Sequence, residues 1–72
     1  MTVQICVKLV GCDAPLRFVC ERQWGADEVR DALAFRMEAA LLKPGSGLML
    51  GVCVSRPVLV MSQVQAVWVE VE

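Results

Sequence analysis

Apolar and polar residues alternate at every second position near both ends of the chain and recur at helical spacing in the middle. From Thr2 to Val10, Val3, Ile5, Val7 and Leu9 fall on one side and Gln4, Cys6, Lys8 and Val10 on the other. A period of two with β-branched residues predicts a half-buried strand. Gly11-Cys12-Asp13-Ala14-Pro15 carries turn residues, and Leu16 to Arg22 alternates again, with Leu16, Phe18 and Cys20 against Arg17, Val19 and Glu21. Two such segments around a short turn predict an antiparallel hairpin. From Ala26 the period changes: Val29, Ala32, Leu33, Met37, Ala40 and Leu41 define an apolar stripe, as on a helix packed against a core. Phe35 borders that stripe and is assigned to the core. Asp27 and Glu28 suit the positive end of the helix, and Trp24, just ahead of a Gly25 cap, can staple onto Val29. Lys43-Pro44-Gly45 stops the helix.

Beyond it, Leu48 to Val54 reads as a third strand, with Gly51 at a bulge or close approach. Ser55-Arg56-Pro57 reads as a turn, Val58 to Met61 as a short fourth strand and Ser62 to Gln65 as a connection. Ala66 to Glu72 is a last strand, with Val67, Val69 and Val71 opposite Trp68, Glu70 and Glu72. The order is strand, strand, helix, strand, strand, strand, an α+β class. The helix must cross one face of the sheet to bury its stripe. The last strand is then expected parallel to the first, in the centre of a mixed sheet of four to five strands. That is the β-grasp arrangement. Residues 1–72 read as one domain, with a place at the N-terminus of a larger protein left open.

The segment Val3 to Gly11 resembles the first strand of the ubiquitin-like family, with Gln4, Ile5, Val7 and Lys8 identical to ubiquitin there. Phe18 to Glu21 is similar to the family's second strand, Ala26 to Leu33 to its helix, Leu48 to Gly51 to its third strand and Val67 to Val71 to its last. The likeness is one of hydrophobic positions over most of the chain, so it speaks to fold more than to function. It implies a domain that binds proteins through the sheet face away from the helix, with Val10, Met49, Trp68 and Glu70 matching the family's apolar patch by position. The sequence closes on Val69-Glu70-Val71-Glu72 without the Gly-Gly tail used in conjugation and sulfur carriage, so that chemistry is not expected.

Composition sharpens the functional reading. At 72 residues and 57% hydrophobic, with mean hydropathy +0.57, the chain exceeds the roughly 45–50% apolar share of ordinary domains. Part of that apolar surface should reach solvent as a partner or self-association patch. Net charge is −1 and pI about 5.3, without the basic stripe that nucleic acid or an anionic membrane would need. Gln4, Lys8, Arg17 and Arg56 interrupt the apolar runs, so none reaches the roughly 18 residues of a membrane span. No basic leader precedes the first strand, so no secretory signal is read. Four cysteines, Cys6, Cys12, Cys20 and Cys53, form no Cys-x-x-Cys pair and the chain has no histidine, so no metal and no cofactor are expected. Cys6 and Cys20 fall in strand patterns where a free thiol behaves as a small hydrophobe. A reduced, cytoplasmic setting is the expectation.

Catalysis needs a nucleophile beside a base, paired carboxylates or a metal. With no histidine or tyrosine, and with Ser46, Ser55 and Ser62 all in turns, no enzyme is expected. The alternatives are an adaptor domain binding a protein partner through the exposed sheet face, and a self-assembly module using that face or the Val58–Met61 edge. Alternation places Gln4, Cys6, Lys8, Met49, Trp68 and Glu70 on the face, with Val10 at its margin. Trp68 is the favoured contact, because exposed tryptophan dominates binding hot spots. On this reading Trp68→Ala weakens binding and leaves the melting temperature nearly unchanged.

Overall fold

The structure, a computed structural model, describes residues 2–43, 45 and 47–72. In chain order it contains β1 (Val3–Leu9), β2 (Leu16–Val19), α1 (Ala26–Leu42), β3 (Leu48–Met49), β4 (Val58–Leu59), a 3-10 turn (Met61–Gln63) and β5 (Val64–Val71). The class is α+β, with one helix over strands among the described residues. The shortest dimension, 18 Å, suits two layers of secondary structure stacked about 10 Å apart.

Strand pairing departs from the sequence expectation. β1 is the middle of a three-stranded sheet in the order β2-β1-β5, and β3 and β4 form a separate two-stranded sheet. Every one of these pairs is antiparallel. The expected single mixed sheet, with first and last strands parallel, is therefore replaced by two antiparallel sheets. The cause lies in the short link before β5. The 3-10 turn delivers the chain to the C-terminal end of β1, where the Val10 N–H donates to the Gln63 carbonyl at 2.8 Å and Leu9 pairs with Val64. From that end β5 can only run back along β1. It finishes where Thr2 and Glu72 exchange two backbone bonds of 2.8 Å.

Other elements shift for local reasons. The expected third strand keeps only Leu48–Met49, because Leu50 to Arg56 folds into successive turns, with Cys53 N–H donating to Leu50 O and Arg56 N–H to Cys53 O, each at 3.1 Å. Gly51 sits in the first of these turns instead of at a strand bulge. β5 begins two residues earlier than expected, and a register shift between Lys8 and Leu9 leaves Gln65 as the extra residue of a bulge. The helix start follows the sequence reading: the Gly25 N–H donates to Glu28 Oε1 at 3.3 Å, and Trp24 and Val29 join the same apolar cluster. Lys43 closes the helix, its N–H donating to Ala39 O at 3.2 Å; Pro44, expected as the breaker, lies outside the described residues.

The core sits between the three-stranded sheet and α1. Val3, Ile5 and Val7 supply its floor, Val29, Leu33 and Ala40 its roof, and Cys20, Leu48, Leu50 and Cys53 its side. Val67 and Val69 flank it, so the odd positions of both terminal strands turn inward as alternation requires. The helix stripe is narrower than expected. At about 100° per residue, Val29, Leu33, Met37 and Ala40 cluster on one side, while Phe35 and Leu42 project on the other. Phe35 is 69% and Leu42 76% exposed, so Phe35 is a surface residue and not core. Leu41, at the stripe's edge, is exposed as well.

One glycine is fixed by geometry. Gly47 has φ +81, and a Cβ there would lie 3.1 Å from both Leu59 O and Val58 Cγ1. Gly47→Ala is expected to cost about 1–3 kcal/mol through backbone strain and this close approach, read as a lower urea midpoint; an unchanged midpoint would show that the turn rearranges freely.

Candidate functional site

The sheet face turned away from α1 is built by the even positions of β1 and β5 and by Arg17 and Val19 of β2. Partners across an antiparallel ladder share a face, so register sets the rows directly. Arg17, Cys6 and Trp68 form one row; Val19, Gln4 and Glu70 form the next; Lys8 stands opposite Ala66.

These side chains interlock. Trp68 Nε1 donates to Glu70 Oε2 at 2.6 Å. Arg17 Nη1 reaches over the middle strand to Glu70 Oε1 at 2.9 Å, passing 3.3 Å from Cys6 Sγ. The Cys6 thiol in turn donates to Glu70 Oε2 at 3.4 Å. Glu70 thus gathers a guanidinium, an indole N–H and a thiol on one carboxylate, tying both outer strands across the central one. Beneath this cover Cys6 is fully buried, although it lies on the opposite side of the sheet from the main core. Its small size is what the arrangement requires: a bulkier side chain at position 6 would lift Arg17 off Glu70. Gln4 Oε1 is covered and has no partner among the described groups, a local cost on the order of 1–3 kcal/mol. At the far end Lys8 Nζ donates to Cys12 O at 3.1 Å and to Gln65 Oε1 at 3.2 Å.

Electrostatics follow from this geometry. The indole N–H, then the Arg17 and Cys6 bonds, hold the Glu70 carboxyl down to about 2, from an ordinary 4.5. Burial and the adjacent Glu70 carboxylate push the Cys6 thiol up from its ordinary 9.0. Cys6 is therefore kept as a thiol, and the Arg17 and Glu70 charges close on each other. A carboxylate held below its unfolded value stabilises the fold above about pH 4.5, and that contribution disappears as pH falls from about 4.5 to about 2. The Glu70 side chain is 36% exposed, so water screens part of the effect. Glu70→Gln should flatten the acid limb of a melting-temperature profile between these pH values; an unaltered limb would mean that another carboxylate carries it.

Five of the residues expected on this face, Gln4, Cys6, Lys8, Trp68 and Glu70, are brought together here. Met49 is not. Its strand pairs only with β4, so it lies beside α1, lining a recess with Arg36, Ala39 and Gly47. Val10 stands exposed past the end of β1, tethered by its backbone. Arg17 and Val19 belong to the face although sequence reasoning assigned them no role. Their alternation with Leu16 and Phe18 marked them as outward; only the hairpin register, Cys6 opposite Arg17, shows what they touch.

A second surface is apolar. Leu41, Val58, Val60 and Met61 line a groove of about 370 Å³ between the end of α1 and β4. Among the described residues no helix is long and apolar enough to cross a membrane. Comparisons with protein-family models, with curated proteins and with solved structures return no match.

Proposed function

We propose that the chain is a non-catalytic adaptor domain that binds a protein partner through the outer face of the β2-β1-β5 sheet. One observation carries this reading: a half-buried tryptophan held by its N–H in a fixed orientation, on a sheet face that α1 leaves uncovered. Fixing the ring in advance removes part of the entropy cost of binding, and the pre-formed Arg17–Glu70 pair gives the partner a defined polar border around it. The likeness to ubiquitin-like domains supports the same use through the order of the first three elements and the helix packed on one face. The reversed β5 sets the fold apart from the β-grasp form of that family.

Exposed Ala66 precedes Trp68 on the same face of β5, and exposed Val19 lies across β1 at the other side of that face; neither side chain bonds to Glu70. Val19→Glu and Ala66→Glu are therefore expected to abolish retention of a partner from extract while the circular dichroism spectrum stays native. Val58→Lys, on β4, should leave that retention intact. The reverse pattern, binding lost with Val58→Lys and kept with both glutamates, would reject the sheet face.

A second reading, a self-assembly module, is favoured by the exposed apolar residues Leu41, Val58 and Val60 along one groove and by an unpaired outer edge of β4 among the described residues. Sedimentation across a concentration series separates the two: a monomer at every concentration leaves only the adaptor.

A further inference from the structure

Cys20 and Cys53 occupy a place in the fold that the adaptor reading does not use. They face one another across an isolated antiparallel bridge. The Glu21 N–H donates to Val52 O and the Val54 N–H to Val19 O, both at 2.9 Å, so the bonds flank the pair and do not pass through it. That is the narrow type of antiparallel pair, with Cα atoms about 4.5 Å apart and side chains close. A disulfide accepts Cα separations of roughly 4.4–6.8 Å. Both side chains are buried, in the same apolar cluster, and Cys53 Sγ turns toward the β2 end of the bridge, 4.0 Å from Phe18 O. The other cysteines cannot compete, since Cys6 is on the opposite sheet face and Cys12 is exposed in the first turn.

We propose that Cys20 and Cys53 form a reversible intramolecular disulfide, a redox-operated staple joining the end of β2 to the turn between β3 and β4. The oxidant is a low-molecular-weight disulfide such as oxidised glutathione. One cysteine, deprotonated, attacks it, forming a mixed disulfide and releasing one thiol. The second cysteine then displaces the other thiol. Two protein S–H bonds and one small-molecule S–S bond break; one protein S–S bond and two small-molecule S–H bonds form. Two electrons pass to the oxidant. The closed loop contains all of α1, so the bond ties together segments far apart in sequence, where loop-closure entropy in the unfolded chain gives the largest stabilisation. Burial raises both thiols, Cys53 to about 12, so the exchange proceeds slowly and through opening of the Leu50–Arg56 turns.

The test uses the full chain carrying Cys12→Ser, which removes the exposed thiol. It is equilibrated in reduced and oxidised glutathione, quenched with acid and mapped by peptide mass spectrometry. A Cys20–Cys53 link should form in the folded protein on the order of 100-fold more favourably than in the urea-unfolded chain, and the oxidised protein should melt on the order of 10 °C higher than the reduced one. A link no more favoured in the folded protein than in urea, a bridge to Cys6 instead, or a lower melting temperature on oxidation would overturn the proposal. All these readings come from chemistry at the native cysteines, so none depends on a Cys20 or Cys53 variant folding.

Discussion

Ile5→Ala is expected to remove on the order of half of the fold's stability. Ile5 is fully buried in the central strand, opposite Phe18 on one side and Val69 on the other, and it shares one core cluster with Leu33 and Leu50, against which Trp24 packs. Truncating a buried isoleucine to alanine costs about 2–5 kcal/mol, with the larger values where neighbours cannot close the gap. Here the gap opens where both sheet neighbours and the helix layer meet, and the β1 ladders on either side hold those neighbours in place. A domain of 72 residues has a total stability of roughly 4–11 kcal/mol, so the loss is on the order of half of it. Urea unfolding followed by circular dichroism checks it: the midpoint should fall by about 2 M or more, or the native baseline should vanish. A midpoint within about 0.5 M of the parent would mean that the layers close over position 5 and that the helix does not depend on this strand.

Trp68→Ala should also be costly, which corrects the expectation that the melting temperature would hardly move. The ring lies on the outer face as alternation required, yet it is half-buried, spends its N–H on Glu70 and helps to cover Cys6. Losing it removes apolar contact, a hydrogen bond and part of that cover. A destabilisation of about 2 kcal/mol is expected, or roughly 8–16 °C in a domain of this size. Trp68→Phe separates the contributions, since it keeps a ring over Cys6 but has no N–H to give. It should lose much less stability, yet move the acid transition toward the ordinary carboxylate range, because the indole N–H is the first cause of the lowered Glu70 value. If Trp68→Phe melts as low as Trp68→Ala, the hydrogen bond and not the ring holds the face together. An acid transition left in place would detach Trp68 from Glu70 altogether. Partner binding is then best compared with Val19→Glu and Ala66→Glu, whose native side chains make no bond to Glu70.

Both variants lie in terminal strands whose inward and outward positions were legible in the sequence. A strand has only two faces, so strict alternation from Val3 to Leu9 and from Val67 to Val71 sorts side chains without knowledge of the neighbours. For the same reason alternation alone groups Gln4, Cys6, Lys8, Trp68 and Glu70 on one face. The middle of the chain was harder to read. Phe35 and Leu42 look apolar enough for a core, but their angular position on the helix opposes Val29 and Leu33, and the angle outweighs the residue type. Leu48 to Val54 has strand-like composition yet folds into turns after Met49, because its backbone bonds are divided between Pro57, its own turn and the Val19–Glu21 segment at the end of β2.

By itself the sequence determined the α+β order of elements, the extent of the helix and which side of each terminal strand faces inward, since these depend on local periodicity. Only the tertiary structure decided strand direction, ladder register and the contacts that follow from them. The antiparallel run of β5 depends on where the Met61–Gln63 turn releases the chain. The reach of Arg17 over Cys6 to Glu70 and the meeting of Cys20 with Cys53 depend on pairing between segments distant in sequence. Alternation tells a residue which face it occupies; only the neighbouring strand tells it whom it touches.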